Sequence, residues 1–240
     1  MIKSIDLSNF NWVQNSLAKP GTAQTLSYYI PSSFDAYCKI FHSIYEDPNH
    51  IDLKKSHEDL LQEHLKTSKN IIPSSIFQKE FDLNYSRKVT WQELAQRYNF
   101  PFNDELSGSK LIKYISDPDE NNSCPAYLKG PNLGKLDFTE LSNLSKYIEC
   151  DSVLSYYGIL TDVEKGERIY ECHLNQLNNL LQGNNNWSPT YWWNDKRDWI
   201  VWTDYDQCYS IVGGSEELIT NICKDKNLEV LKTTLNKSVN

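Results

Sequence analysis

The stretch whose reading decides the fold is 187-WSPTYWWNDKRDWIVWTDYDQCYSIVGGS-215. It holds five of the seven tryptophans, together with the aspartates Asp195, Asp198, Asp204 and Asp206. Side chains alternate along a strand, so a strand over 199–205 puts Trp199, Val201, Thr203 and Tyr205 on one face. Ile200, Trp202, Asp204 and Asp206 share the other. The first face predicts core, and the second gathers two carboxylates and an indole where recognition or chemistry would sit. Gly213-Gly214-Ser215 then predicts a helix start, with Ser215 as N-cap and Glu216 and Glu217 complementing the helix dipole. The same letters resemble a phosphate cradle, but no Lys-Ser/Thr follows and two glutamates repel an anion. The cap explains them more simply.

Outward from this block, strands and helices alternate. Residues 24–45 are aromatic and broken by Pro31, and beyond it Phe34, Ala36, Cys38 and Ile40 alternate with Asp35, Tyr37, Lys39 and Phe41, a strand with one apolar face. Thr90-Trp91-Gln92-Glu93 is a capping box that opens a helix, and Asp137-Phe138-Thr139-Glu140 opens another. Between them, 117–135 carries three prolines and two glycines and reads as loop. Short strands are expected at 152–160 and 167–173, a helix through Leu174, Leu177 and Leu181, and a final strand in LEVLKTT. This is an α+β fold, a mixed sheet with short helices packed on it. Residues 46–86 are polar, with His50, His57 and His64 at seven-residue spacing, and read as an insertion in a single domain spanning 1–240.

Composition narrows the function. The formal charge is −8 and the pI near 5.2, which argues against nucleic-acid or anionic-membrane binding, since both need a basic surface. Aromatics make up 12% of residues, enough to build a core of large rings and to exclude an acidic disordered chain. The N-terminal MIKSIDLSNFNWVQNS lacks an apolar signal-peptide region, and no run approaches a membrane span. The six cysteines are scattered, without a C-x-x-C pair, and read as reduced thiols. A cytoplasmic protein is expected, in which the sequons at Asn84, Asn143 and Asn186 are compositional accidents.

Three chemistries compete for the Trp/Asp block. Asp195, Asp198, Asp204 and Asp206 offer oxygens to a divalent cation, but their spacing matches no loop motif. Two neighbouring carboxylates suit acid–base work. Tryptophans and tyrosines suit a binding surface. Against all three stands a packed aromatic core with aspartates capping turns. His57 and His64 are too far apart on a helix to share a metal, Cys172-His173 point to opposite faces of a strand, and His42 closes an aromatic strand. No nucleophile elbow, zincin, kinase or Rossmann signature is present, so neither cofactor nor metal is expected. The helix from Thr90 lacks the basic second helix of a DNA reader.

Several blocks resemble an uncharacterised family of bacterial proteins, common in actinobacteria. These are Pro31, Phe34, Ala36, Tyr37, Lys39 and His42; then Trp91, Glu93, Leu94 and Ala95; then Pro189, Trp192, Trp193, Asp195, Arg197, Trp199, Thr203, Asp206, Tyr209 and Val212 to Ser215. The family carries Arg at the position of Lys39 and Pro at that of Asn194. The resemblance implies a shared fold and a recurring Trp/Asp/Arg surface, and no reaction.

The expected function is a binding protein of the immunity or toxin-neutralising kind, whose acidic-aromatic surface meets a basic protein partner. Trp192, Trp193, Trp202, Asp204 and Asp206 are its expected contacts. The alternatives are a hydrolase using Asp204 or Asp206 with His42 and Arg197, and a carbohydrate-binding module.

Overall fold

The computed structural model describes residues 2–19, 25–48, 87–116, 125–148, 150–158, 165–184 and 187–239, with single positions at 59, 62, 66 and 160. Its strands are all paired antiparallel and its helices are short, so the chain is an α+β protein. Contacts gather into two compact units. One comprises 1–42, 103–107 and 132–240, the other 43–102 and 108–131.

The first unit is built on eight strands: β1 (Lys3–Ile5), β2 (Ala36–Phe41), β6 (Val153–Tyr157), β7 (Arg168–Cys172), β8 (Tyr191–Asn194), β9 (Ile200–Trp202), β10 (Tyr209–Gly214) and β11 (Val230–Thr233). They lie in the order β1-β7-β6-β8-β9-β10-β2-β11. The register sets the faces: Cys38 pairs with Val212, Val212 with Val201, and Val201 with Trp192. On this face the helices α4 (Phe138–Leu144), α5 (Leu177–Gly183) and α6 (Glu216–Cys223) pack Leu141, Leu144, Leu177, Leu180, Ile219 and Ile222 against the sheet. The members of each pair are three residues apart, so both fall on the helix face that meets the sheet.

The opposite face is covered as well. Phe10 stacks on Tyr156 with centroids 3.9 Å apart and also meets Tyr191 and Trp193. Trp12, on the short helix α1 (Asn11–Ser16), meets Trp193 edge-on, and Tyr29 packs on Trp202. The Tyr191 hydroxyl donates to the Tyr29 carbonyl at 2.6 Å, and the Tyr209 hydroxyl to the Val239 carbonyl at 3.0 Å. Even a lysine is enclosed here. Lys39 Nζ donates to the carbonyls of Leu106 (2.6 Å) and Asp104 (3.0 Å) and sits 3.8 Å from the centre of the Tyr209 ring. The N-terminal segment and the C-terminal tail thus bury a face that strand alternation alone leaves open to solvent, and β2, β6, β8, β9 and β10 are buried along their whole length.

The second unit holds β3 (Ile44–Glu46), β4 (Arg87–Val89) and β5 (Leu128–Lys129) in the order β4-β3-β5, with helices α2 (Trp91–Tyr98) and α3 (Gly108–Ile115). Thr90 and Glu93 form the expected capping box. Glu46 is buried and receives Arg87 Nε at 2.5 Å and Arg97 Nη1 at 2.8 Å. Burial pushes its carboxyl up, but the two guanidiniums outweigh it and hold the group below its ordinary value. The sequence reads as one domain with an insertion at 46–86, and the contacts gather a second compact unit over 43–102 and 108–131. Ile44, Val89, Trp91, Leu94, Leu111, Ile115 and Tyr127 are its own buried apolar set, and most of them lie beyond residue 86. The polar run at 46–86, with His50, His57 and His64, falls almost wholly outside the described residues.

Among the described residues no helix is long and apolar enough to cross a membrane.

Candidate functional site

The β8–β9 hairpin turns through Asn194–Asp198. Arg197 N–H donates to the Asn194 carbonyl at 3.0 Å, Asp198 N–H to Asn194 Oδ1 at 2.8 Å, and Asn194 Nδ2 to Asp198 Oδ2 at 3.1 Å. Asn194 therefore pins the turn with a side chain that a proline would lack. The tightness of the turn forces Arg197 into the left-handed region at φ 60, where a side chain other than Gly or Asn is disfavoured. Its guanidinium lies 5.1 Å from the centre of the Trp12 ring, within cation–π range.

This turn forms one wall of an open cleft of about 700 Å³. Ser33, Phe34 and Asp35, from the segment leading into β2, form a second wall. Gly214, Ser215 and Leu218, where β10 passes into α6, form a third, and Tyr147 closes the side. Ser215 caps α6, its hydroxyl accepting from Leu218 N–H at 3.2 Å. Gly213 owes its place to close packing, since a Cβ there would lie 2.9 Å from the rings of Phe34 and Tyr37. Residues from the first and third sequence blocks that carry the family resemblance thus converge on one cleft: Phe34 from the first, Arg197, Trp199, Gly214 and Ser215 from the third.

Asp35 also lines a neighbouring groove of about 490 Å³, with Asp104, Glu216, Lys232 and Thr233 among its other walls. Lys232 is paired with Glu216. Asp104 accepts from the Thr233 hydroxyl at 3.0 Å and lies 3.6 Å from Lys237. Together the two depressions present the carboxylates Asp35, Asp104, Asp198 and Glu216 against the cations Arg197 and Lys232.

The expected contacts fare differently. Trp192, Trp193 and Trp202 are at most 1% exposed and belong to the two faces of the core, so they cannot anchor a partner. Trp192 meets Trp199 edge-on at 5.6 Å, and Trp202 meets Tyr209 at 6.2 Å. Asp204 and Asp206 lie in the turn from β9 to β10. Asp204 accepts its neighbour's N–H at 2.7 Å, and burial first, then the charge of Asp206, raises its carboxyl. Asp206 accepts from the Gln207 side chain.

His42 is fully enclosed. Its Nδ1–H donates to the Asn132 carbonyl at 2.7 Å, its Nε2 accepts from the Ser210 hydroxyl at 2.9 Å, and the Ser210 oxygen accepts from Thr203 at 2.6 Å. Burial pushes the imidazole down to about 4. A serine paired to a histidine resembles a nucleophile and its base, but no substrate reaches atoms that are 0–1% exposed. Arg197 lies in the turn before β9 and Asp204 in the turn after it, at opposite ends of the strand. The expected set of His42, Arg197, Asp204 and Asp206 is therefore not assembled into one centre.

Among the described residues no group of three His, Cys, Asp or Glu side chains is placed to hold a metal ion. Sequence reasoning missed Asp35, Ser33 and Tyr147. Asp35 had a usable signal, an exposed acid between Phe34 and the first buried residue of β2.

Compared with known proteins, the chain matches no family model, no curated sequence and no solved structure.

Proposed function

We propose that this protein is a binding module for a basic polypeptide partner, of the kind that neutralises a toxin, acting in the cytoplasm. The observation that supports the reading is the pair of depressions joined at Asp35, whose carboxylates outnumber their cations. Asp35 and Asp198 are exposed at the rim, so their charge is available to a lysine or arginine arriving from solvent. The chain's charge of −8 steers such a partner inward, and Phe34 and Tyr147 offer ring surface to the stems of its side chains. The site is displaced from the one expected from sequence. The tryptophans support it from within as scaffold, and the contacts pass to Asp35, Asp198, Arg197 and Tyr147.

The test is titration of a short fluorescent Lys/Arg-rich peptide. Binding is expected to weaken steeply with added salt, as for exposed charges, and to fall at least about tenfold in the double variant Asp35→Lys with Asp198→Lys. Equal binding by the wild type and that variant sinks the reading.

A further inference from the structure

The two carboxylates of the larger cleft stand on different walls. Asp35 lies on the segment that leads into β2, and Asp198 at the end of the turn before β9. Both keep acceptor capacity. Among the described residues no hydrogen bond or ion pair engages Asp35. Asp198 accepts the Asn194 amide on Oδ2 at 3.1 Å, and no cation pairs with it among the described residues. Arg197, the cation in the lining, lies 5.1 Å from the centre of the Trp12 ring instead.

Both walls are fixed in advance. The Tyr37 hydroxyl donates to the Pro31 carbonyl at 2.7 Å and accepts from Phe34 N–H at 3.2 Å, which clamps the segment carrying Asp35. The Phe34 ring meets that of Tyr37 edge-on, 6.3 Å between centres. On the other wall the Asn194 side chain bonds both the backbone and the carboxylate of Asp198. An arriving side chain thus meets carboxylates and rings that are already ordered, which lowers the cost of binding.

We propose that this cleft selects arginine over lysine in its partner, an inference that rests on reading the cleft as a site for a basic polypeptide. A guanidinium is a flat cation with five N–H donors in a fixed fork. Its face can lie on the part-exposed rings of Phe34 or Tyr147 while its edges present donors to more than one carboxylate. An ammonium is a compact point charge without such a fork, and its stronger hydration resists contact with a ring. At about 700 Å³ the cleft has room for a long side chain and the backbone that carries it. The neighbouring groove is a poorer guanidinium site. Its Glu216 is paired with Lys232, and its Asp104 is engaged by Thr233 and Lys237.

The experiment titrates the folded full chain with three fluorescent peptides of equal length and charge, carrying arginine, lysine or symmetric dimethylarginine. The arginine peptide is expected to bind at least about fivefold more tightly than the lysine peptide. Dimethylation keeps the charge but blocks the fork, and is expected to weaken binding at least about threefold. In the double variant Phe34→Leu with Tyr147→Leu the arginine-to-lysine ratio is expected to fall to within about twofold of unity, as the rings are lost and the carboxylates kept. The peptide series on the wild type is a test that needs no variant to fold. Equal binding of the arginine and lysine peptides, each still weakened by Asp35→Lys with Asp198→Lys, overturns the selection and leaves the reading of a basic partner standing. Binding of neither peptide overturns both. Binding of the dimethylated peptide as tightly as the arginine peptide also overturns the selection.

Discussion

The two ends of strand β9 carry similar residues in opposite settings. Beyond Trp202 the chain turns through Asp204–Gln207, next to His42, Ser210 and Thr203, which are sealed from water and hydrogen-bonded in series. Before Ile200 it turns through Asp195–Asp198, where Arg197 and Asp198 stand in solvent at the mouth of a cleft. The sealed end is richer in the residue types that catalyse, and the open end in charges that only bind. Access separates them. A buried polar chain whose members satisfy one another stabilises and specifies the fold, whereas exposed charges contribute little to stability and remain available to a partner.

The contrast can be broken most forcefully in the core that supports both ends. Trp202→Ala is expected to cost about 3–5 kcal/mol, read as a lower midpoint in urea denaturation. A second test isolates the sealed end by pH. His42 titrates near 4 in the fold and near 6.5 unfolded, so between these values the unfolded chain binds more protons. Its stabilising contribution is complete above about pH 6.5 and is lost as pH falls towards 4, to a total of about 3 kcal/mol. Glu46, held below its ordinary value of 4.5, adds its own loss only as pH falls through that value and below it. Between pH 6.5 and 5 stability should therefore fall less with acid in His42→Gln than in the wild type.

Gly134, which donates to Gln207 and accepts from Ser188, tests the same end through the backbone. It adopts φ +63, and a Cβ there would lie 2.7 Å from the backbone of Tyr205. Gly134→Ala is expected to cost about 2 kcal/mol by the same measurement. The smallest effects belong to the open end. Asp35→Asn, Asp198→Ala and Arg197→Gly should each shift stability by less than about 1 kcal/mol. In Arg197→Gly, relief of the left-handed backbone offsets the lost contact with Trp12 and the added freedom of the unfolded chain. A large loss in any of these three would place the cleft residues in the scaffold and dissolve the contrast.

Much of the fold was legible because its signals are local. The capping boxes at Thr90 and Asp137, the N-cap at Ser215, the alternation through Ala36–Phe41 and the strands at Val153–Tyr157 and Arg168–Cys172 all lie where their residue types require. The helix Gly108–Ile115 escaped, since it opens on a glycine and sits among loop-forming residues. The second unit escaped because its first strand, Ile44–Glu46, follows β2 after a two-residue break and reads as a continuation of it.

From its residues alone this protein was bound to be an acidic α+β chain with a tryptophan-rich strand near its C-terminal end and a capped helix after it. Those properties follow from charge, period and caps, which act over a few residues. What the block 187–215 does was decided only in three dimensions. Period two predicts that Trp202 and Asp204 share a side of one strand, but the strand ends at Trp202, where Tyr29 covers the indole, and Asp204 lies in the turn beyond. Residues near the N-terminus and at the C-terminus bury that side, and no local pattern encodes which distant segment covers a face. The same non-local packing brings Asp35 and Arg197 to one cleft, and it moves the candidate site from the tryptophans to that cleft.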